Sequence, residues 1–141
     1  MFKIGVFSII FNEKKEVLLC HRRDFDLWNL PGGGLKANES PWKGVIRETK
    51  EETGFKIKID KLVGIYHKPR KDTVVFSFLG SITGGKLTLN KEADEIRFFS
   101  LDSLPKNISE KHTERIIDAS RNPKKIILKS QHNPDYSDIK K

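Results

Sequence analysis

A single cysteine is too few to make a disulfide. Cys20 stands alone among 141 residues, so no internal bridge forms and no CxxC pair exists for zinc or dithiol chemistry. Such a chain suits a reducing, cytoplasmic setting. Long apolar runs are missing as well. A spanning helix needs about 20 apolar residues, and nothing here approaches that, so no membrane partner is expected. The opening MFKIGVFSIIFNEKK is short, ends in charge and lacks a small-residue cleavage site, which makes it a strand and not a leader. There is no GxxxxGK(S/T) phosphate loop, no GxGxxG in the right context, no internal repeat and no dividing linker. Charge, by contrast, is abundant. Lys and Arg number 27 against 19 acids, a net of +8, which attracts anionic partners and says nothing of chemistry. A hydrophobic content of 36% in this length supplies one soluble domain with a real core. We expect that domain over residues 1–130 and a polar, flexible tail over 131–141.

Residues 3–11 (KIGVFSIIF) are β-branched and aromatic and predict a strand. NEKK turns the chain, and EVLLCHRR (16–23) returns as the expected hairpin partner. The loop 24–40, DFDLWNLPGGGLKANES, is long enough to suggest a functional role. Ser40 and Pro41 then read as N-cap and first residue of a helix that Gly54 stops. Trp42, Val45, Ile46 and Thr49 share one side of it, its expected buried face. Segments 55–67 and 73–83 alternate as strands around the basic turn KPRKD (68–72), and GGK is expected to open a hairpin into LTL (87–89). A further strand is expected at 94–101. Ser109 opens a second helix with His112, Ile116 and Ala119 facing inward, and IILK (126–129) reads as a last short strand. The pattern implies an α/β fold, a mixed β-sheet sandwiched between α-helices.

The densest chemistry lies in RETKEETGF (47–55). Glu48, Glu51 and Glu52 stand at i, i+3 and i+4, so their side chains converge on one patch. Like charges at that spacing repel, and the negative end of the helix dipole adds a second penalty. Arg47 reaches Glu51 at i+4, but one guanidinium does not neutralise three carboxylates. A hard divalent ion does, and Mg²⁺ prefers oxygen ligands while leaving room for substrate phosphates. From these residues alone, a merely solvated charged face is the other reading.

Extended upstream, the pattern runs Gly33, five residues, Glu39, seven residues, then Arg47 to Phe55. This resembles the signature of the Nudix (MutT-like) hydrolase family, with Gly33, Glu39, Arg47, Glu48, Glu51, Glu52 and Gly54 in register. Thr49 departs mildly, standing where an aliphatic residue is more usual. WNLPGGGL and EADEIRFFSLDSLP resemble the family's entry loop and its closing strand and turn. The resemblance implies the Nudix fold with a loop-helix-loop catalytic motif. It implies a divalent cofactor, Mg²⁺ or Mn²⁺, and hydrolysis of a pyrophosphate bond in a nucleoside diphosphate linked to another moiety. A modified nucleoside triphosphate and a nucleotide sugar such as ADP-ribose are the leading substrates. It implies Glu51 and Glu52 as metal ligands, the Gly32 carbonyl as a further ligand, and Glu48 as the base that activates water beside the metal. Arg47 is implied to orient the glutamates, and Glu39 to tie the loop to the helix. Many members carry one more metal-binding acid before the closing strand. Here the candidates are Glu92, then Glu95, then Asp94, all three being otherwise turn and edge charges. Many members also pair as homodimers, and nothing in this sequence demands it.

Candidate substrate contacts follow. Arg22 and Arg23 end a strand beside the functional loop, and Arg23 resembles an arginine that ends this strand in many members, placed to hold a phosphate. Trp28 stacks on a base or packs under the loop. Gly33 belongs to the substrate-facing loop. Arg70, in the basic turn with Pro69, attracts phosphates or is solvated. Cys20 and His21 read as structural, and His112 as a surface or capping residue. Two rival functions remain. An RNA 5′-end pyrophosphohydrolase suits the charge of +8, although RNA ranks behind a small nucleotide as partner. A non-catalytic nucleotide- or RNA-binding regulator is opposed by the intact Glu48, Glu51 and Glu52.

Overall fold

The computed structural model of the chain describes residues 2–133. Strand β1 (Lys3–Ile10) lies near the centre of a five-stranded sheet. Its neighbours are β4 (Gly32–Gly34) on one side and β6 (Thr73–Gly85) on the other, followed by β5 (Phe55–Lys68) and β8 (Ile127–Ser130). β1 pairs with β6 and β5 with β8 in parallel, and the other pairs are antiparallel. A separate antiparallel sheet holds β3 (Trp28–Asn29), β2 (Val17–Arg22) and β7 (Ala93–Phe99). Two helices complete the described elements, α1 (Pro41–Thr53) and α2 (Glu110–Ser120).

The alternation of β1 shows how the layers stack, because successive side chains point to opposite faces. Val6 packs with Val45 of α1 and Phe78 of β6. Ser8, on the same face, bonds Thr49 of α1 through their hydroxyls at 2.8 Å, both fully buried. Ile9, on the other face, joins Val17, Leu19, Trp28, Leu30, Phe99 and Ile116 in a cluster shared by both sheets and α2. Each fully buried aliphatic in such clusters contributes about 1.5–3 kcal/mol. The five-stranded sheet is therefore covered by α1 on one face and by the small sheet with α2 on the other.

Helix α1 starts and stops where its sequence signals stand. Ser40 accepts a hydrogen bond from the Lys43 amide, Pro41 takes the first turn, and the Gly54 amide closes on the Lys50 carbonyl. Its buried face differs from expectation. Val45 and Thr49 are buried with Gly44 and Thr53, whereas Trp42 is 58% exposed and Ile46 is exposed too. The helix is turned so that Glu48 and Glu52 take part of the inner face, which moves Trp42 outward. Other expectations also change. β1 and β2 share no sheet: they belong to different sheets, joined between their ends by an antiparallel bridge of Phe11 and Val17, and they pack on each other through Ile9, Val17 and Leu19. Residues 87–89 form no strand, because β6 already pairs along the length of β5. Of the expected tail, Gln131 belongs to the domain: it is 2% exposed and holds Arg115 through its Oε1. Residues 134–141 lie outside the described residues.

Candidate active site

The short strand β4 crosses over the last turns of α1, and this crossing makes the site. A Cβ on Gly32 would stand 2.2 Å from the Val6 carbonyl oxygen, so only glycine lets β4 lie that close to β1. A Cβ on Gly33 would meet the Glu48 carboxylate at 2.8 Å. Glu48 therefore lies directly beneath the glycine loop. The Gly32 amide donates to Glu52 Oε2 at 2.5 Å, which aims that carboxylate at the loop.

Arg47 organises the acids without entering the cavity. Its Nε and Nη2 clasp both oxygens of Glu39 at 2.7 and 2.8 Å. Its Nη1 donates to Glu48 and to Glu51 at 3.0 Å each, and Nη2 reaches the Gly34 carbonyl at 3.3 Å. A planar guanidinium suits this task, since its fixed fork serves several carboxylates at once. The Arg47 guanidinium holds the Glu39 carboxyl down at about 2. Burial pushes the Glu48 carboxyl above its usual range despite Arg47. Glu52 goes further. Burial, opposed by the Gly32 amide and reinforced by Glu92 and Glu48, raises it to about 8.

A cavity of about 470 Å³ opens over this cluster. Glu52, Glu92, Gly32 and Gly33 form one wall, and Arg22, Arg23 and Lys91 bring positive charge to it. Phe7 and Leu30 supply an apolar part. Arg22 grips Asp24 with two hydrogen bonds, at 2.7 and 2.5 Å. Arg23 Nε donates to the Asn90 carbonyl at 2.7 Å. Of the three acids before the closing strand, Asp94 is held by His21 at 2.7 Å and Glu95 stands 3.5 Å from Arg97. Glu92 alone of the three lines the cavity.

Several expected site residues stand elsewhere. The three glutamates of α1 do not converge on one patch: Glu52 faces the cavity, Glu48 lies behind Gly33, and Glu51 is half exposed on Arg47. Trp28 is 6% exposed and packs edge-on against Phe99 at 4.8 Å, so it is core and takes no part in stacking on substrate. Arg70 lines a different cavity. His112 is neither surface nor cap. It is buried, its Nδ1 accepts the Leu30 amide at 3.0 Å, its ring meets Phe7 edge-on, and burial keeps it neutral. Cys20 is buried, and burial pushes its thiol up, away from reactivity.

Asn90 is a residue organising the site that the sequence concealed. Its side-chain amide donates to the Glu52 carbonyl, and its Oδ1 accepts the amides of Glu92 and Ala93 at 2.8 and 2.9 Å. With Arg23 on its own carbonyl, Asn90 ties the end of α1, the strand-end arginine and the Glu92 loop together. The only available signal was an Asn between two strands, which reads as an ordinary turn.

The donors suit a hard cation in kind. They are all carboxylate and carbonyl oxygens, and Glu52 is buried beside like charges that Arg22 offsets only in part. Among the described residues no three His, Cys, Asp or Glu side chains already stand as a cage. Arg47 and the Gly32 amide hold the carboxylates in their present arrangement.

Comparison with known proteins decides the family. A model of the NUDIX domain matches residues 1–119. The chain belongs to the Nudix hydrolase family. It is 40% identical over 86 residues to the Bacillus subtilis (strain 168) protein named "Putative 8-oxo-dGTP diphosphatase", a match covering 61% of this chain and 58% of that one. It is 34% identical over 110 residues to an ADP-ribose pyrophosphatase of Methanocaldococcus jannaschii, covering 73% of this chain and 64% of the relative. The chain thus spans about three-fifths of the length of each of these curated relatives. Among solved structures, an ADP-ribose pyrophosphatase from Streptococcus suis 89-1591 superposes with a TM-score of 0.75 at 28% identity, covering 93% of this chain and 100% of that one. Within this Nudix fold no described helix is long and apolar enough to cross a membrane.

Proposed function

We propose that this Nudix hydrolase cleaves the pyrophosphate bond of a nucleoside diphosphate derivative with the help of Mg²⁺ or Mn²⁺. The observation that carries this reading is the burial of Glu52 with Glu92 in a cavity that also presents Arg22 and Arg23, with Glu48 close behind Gly33. Glu52, Glu51, Glu92 and the Gly32 carbonyl would be the oxygen donors for the cation, with Glu48 beside them. A divalent cation in such a site neutralises phosphate charge and makes nearby water more acidic. Arg23, with Arg22, binds the phosphates. Glu48 takes the proton from the attacking water; its raised affinity for protons, caused by burial, suits it to that role. Arg47 keeps Glu48 and Glu51 oriented, and the apolar surface of Phe7 and Leu30 receives the base or sugar. Water attack then yields a nucleoside monophosphate and a phosphorylated remainder.

The names of the relatives point to two substrates, oxidised deoxyguanosine triphosphate and ADP-ribose. The test is product release from a panel of canonical and oxidised nucleoside triphosphates, ADP-ribose, sugar nucleotides and 5′-triphosphate RNA. The proposal expects release from one nucleotide class with Mg²⁺ or Mn²⁺, and none after chelation. Binding of nucleotides without release from any of them overturns it in favour of a regulator.

A further inference from the structure

Between β3 and β4 the chain leaves the small sheet and enters the five-stranded one in two residues, Leu30 and Pro31. Proline carries no amide hydrogen, so Leu30 offers the last backbone donor before Gly32. Three elements each place a hydrogen bond on this crossing. His112 of α2 accepts the Leu30 amide on Nδ1 at 3.0 Å, the Ser8 amide of β1 donates to the Pro31 carbonyl at 2.9 Å, and Glu52 of α1 accepts the Gly32 amide at 2.5 Å. A second contact runs the same way. The His112 ring meets the Phe7 ring edge-on, with centroids 4.9 Å apart, and a Cβ on Gly32 would stand 2.5 Å from that Phe7 ring.

A buried histidine with a hydrogen-bonded nitrogen is ordinarily packing alone. This one is joined to the acids. Leu30 is fully buried, so its amide finds no water, and without an acceptor the chain there must shift. Such a shift reaches Gly32 two residues on, and the Gly32 amide is what aims Glu52. An Nδ1 that accepts leaves the ring proton on Nε2, and burial, aided by Arg115, keeps the ring neutral so that Nδ1 stays an acceptor. None of the described residues lining the acid cavity comes from α2, so His112 acts through the crossing and not on substrate.

We propose that His112 is a positioning residue for the acid cavity: its hold on the Leu30 amide fixes Gly32 over α1 and thereby the aim of Glu52. The inference rests on the activity proposed above only where turnover is read. The test compares wild type with His112→Phe and His112→Asn in the full, metal-free chain. Phenylalanine keeps a ring against Phe7 but offers Leu30 no acceptor; asparagine loses volume but sets its Oδ1 where Nδ1 stood. Amide hydrogen exchange is followed by NMR, with the amides of β5 and β6 as internal reference. The proposal expects exchange at Leu30 and Gly32 to quicken by roughly tenfold or more in His112→Phe, and to stay within about threefold of wild type in His112→Asn. With nucleotide and Mn²⁺, kcat falls by about tenfold in His112→Phe while KM stays within about twofold, and His112→Asn recovers most of kcat. Packing alone predicts the reverse order, with the smaller asparagine the worse of the two. That order, or unchanged exchange at Gly32 in His112→Phe, overturns the proposal. One reading needs no variant. The imidazole nitrogen spectrum of wild type shows the His112 proton on Nε2, and a proton on Nδ1 overturns the proposal. Should wild type release product from no nucleotide, the activity fails, and the exchange rates still decide the role of His112.

Discussion

The two helices bury charged groups on opposite faces of one sheet, acids on α1 and a mixture of both signs on α2. α1 turns Glu48 and Glu52 toward β4, and burial drives Glu52 up to about 8. α2 buries Lys111, Arg115, His112 and Asp118. On α2 three of these four groups have hydrogen-bond partners shown by the fold. Arg115 donates to Gln131, Asp118 accepts from Tyr66 at 2.8 Å and from Lys129 at 3.0 Å, and His112 accepts the Leu30 amide. On α1 Arg47 answers Glu39, Glu48 and Glu51, while Glu52 has one backbone amide, two like-charged neighbours and a lesser pull from Arg22. Burial with partners is architecture; burial of a charge with too few partners stores affinity for something that is to come. The contrast sets a structural helix beside the one to which we assign the proposed activity.

The largest expected effect breaks the α1 side. Glu52→Gln lowers metal-dependent turnover by about a thousandfold, as loss of a central electrostatic group does. The fold survives it, and its pH dependence changes. The folded, metal-free protein binds the Glu52 proton more tightly than the unfolded chain, from an ordinary 4.5 up to about 8. Its stability is therefore highest below that window and falls as pH rises through it. Thermal melts across this range show the decline in wild type and a flatter course in Glu52→Gln.

Asn90→Ala comes next. Freeing the Glu92 loop and the end of α1 lowers kcat/KM by about tenfold to a hundredfold, as misplacement of reacting groups does. A small change in melting temperature alongside it marks Asn90 as a positioning residue.

The α2 side breaks in the other currency. Asp118→Ala leaves the buried Tyr66 hydroxyl without its acceptor and costs about 2 kcal/mol in denaturant unfolding. Activity per folded molecule stays within about twofold, since Asp118 stands outside the acid cavity. The smallest effect sits at the seam between α1 and the sheet. Thr49→Val strands the buried Ser8 hydroxyl and costs about 1–2 kcal/mol, and adding Ser8→Ala restores most of it. A double-mutant cycle by chemical denaturation measures that coupling.

Local features of the molecule were legible in its sequence. Ser40, Pro41 and Gly54 bound α1 because caps act within one turn. Glu92 was ranked before Glu95 and Asp94; of the three it lines the cavity, while Asp94 bonds His21 and Glu95 stands near Arg97. Long-range pairing was not legible. The hydroxyl pair of Ser8 and Thr49 joins residues 41 apart, and it accounts for the hydroxyl where the family more often has an aliphatic residue. The split into two sheets depends on which strands meet, which local pattern does not encode. Trp42 was misplaced because apolar periodicity assumes that carboxylates face water. On this helix Glu48 and Glu52 take inward positions instead, an inversion of the kind that functional sites impose.

The central claim, that Glu52 holds a proton in place of a metal ion, is tested most directly by calorimetric titration of Mn²⁺ in buffers of different ionisation enthalpy. At pH 7 we predict release of about one proton per ion bound, fading at pH 9 and absent in Glu52→Gln. Binding of Mn²⁺ with no proton release at pH 7, or with the same release in Glu52→Gln, would contradict the account.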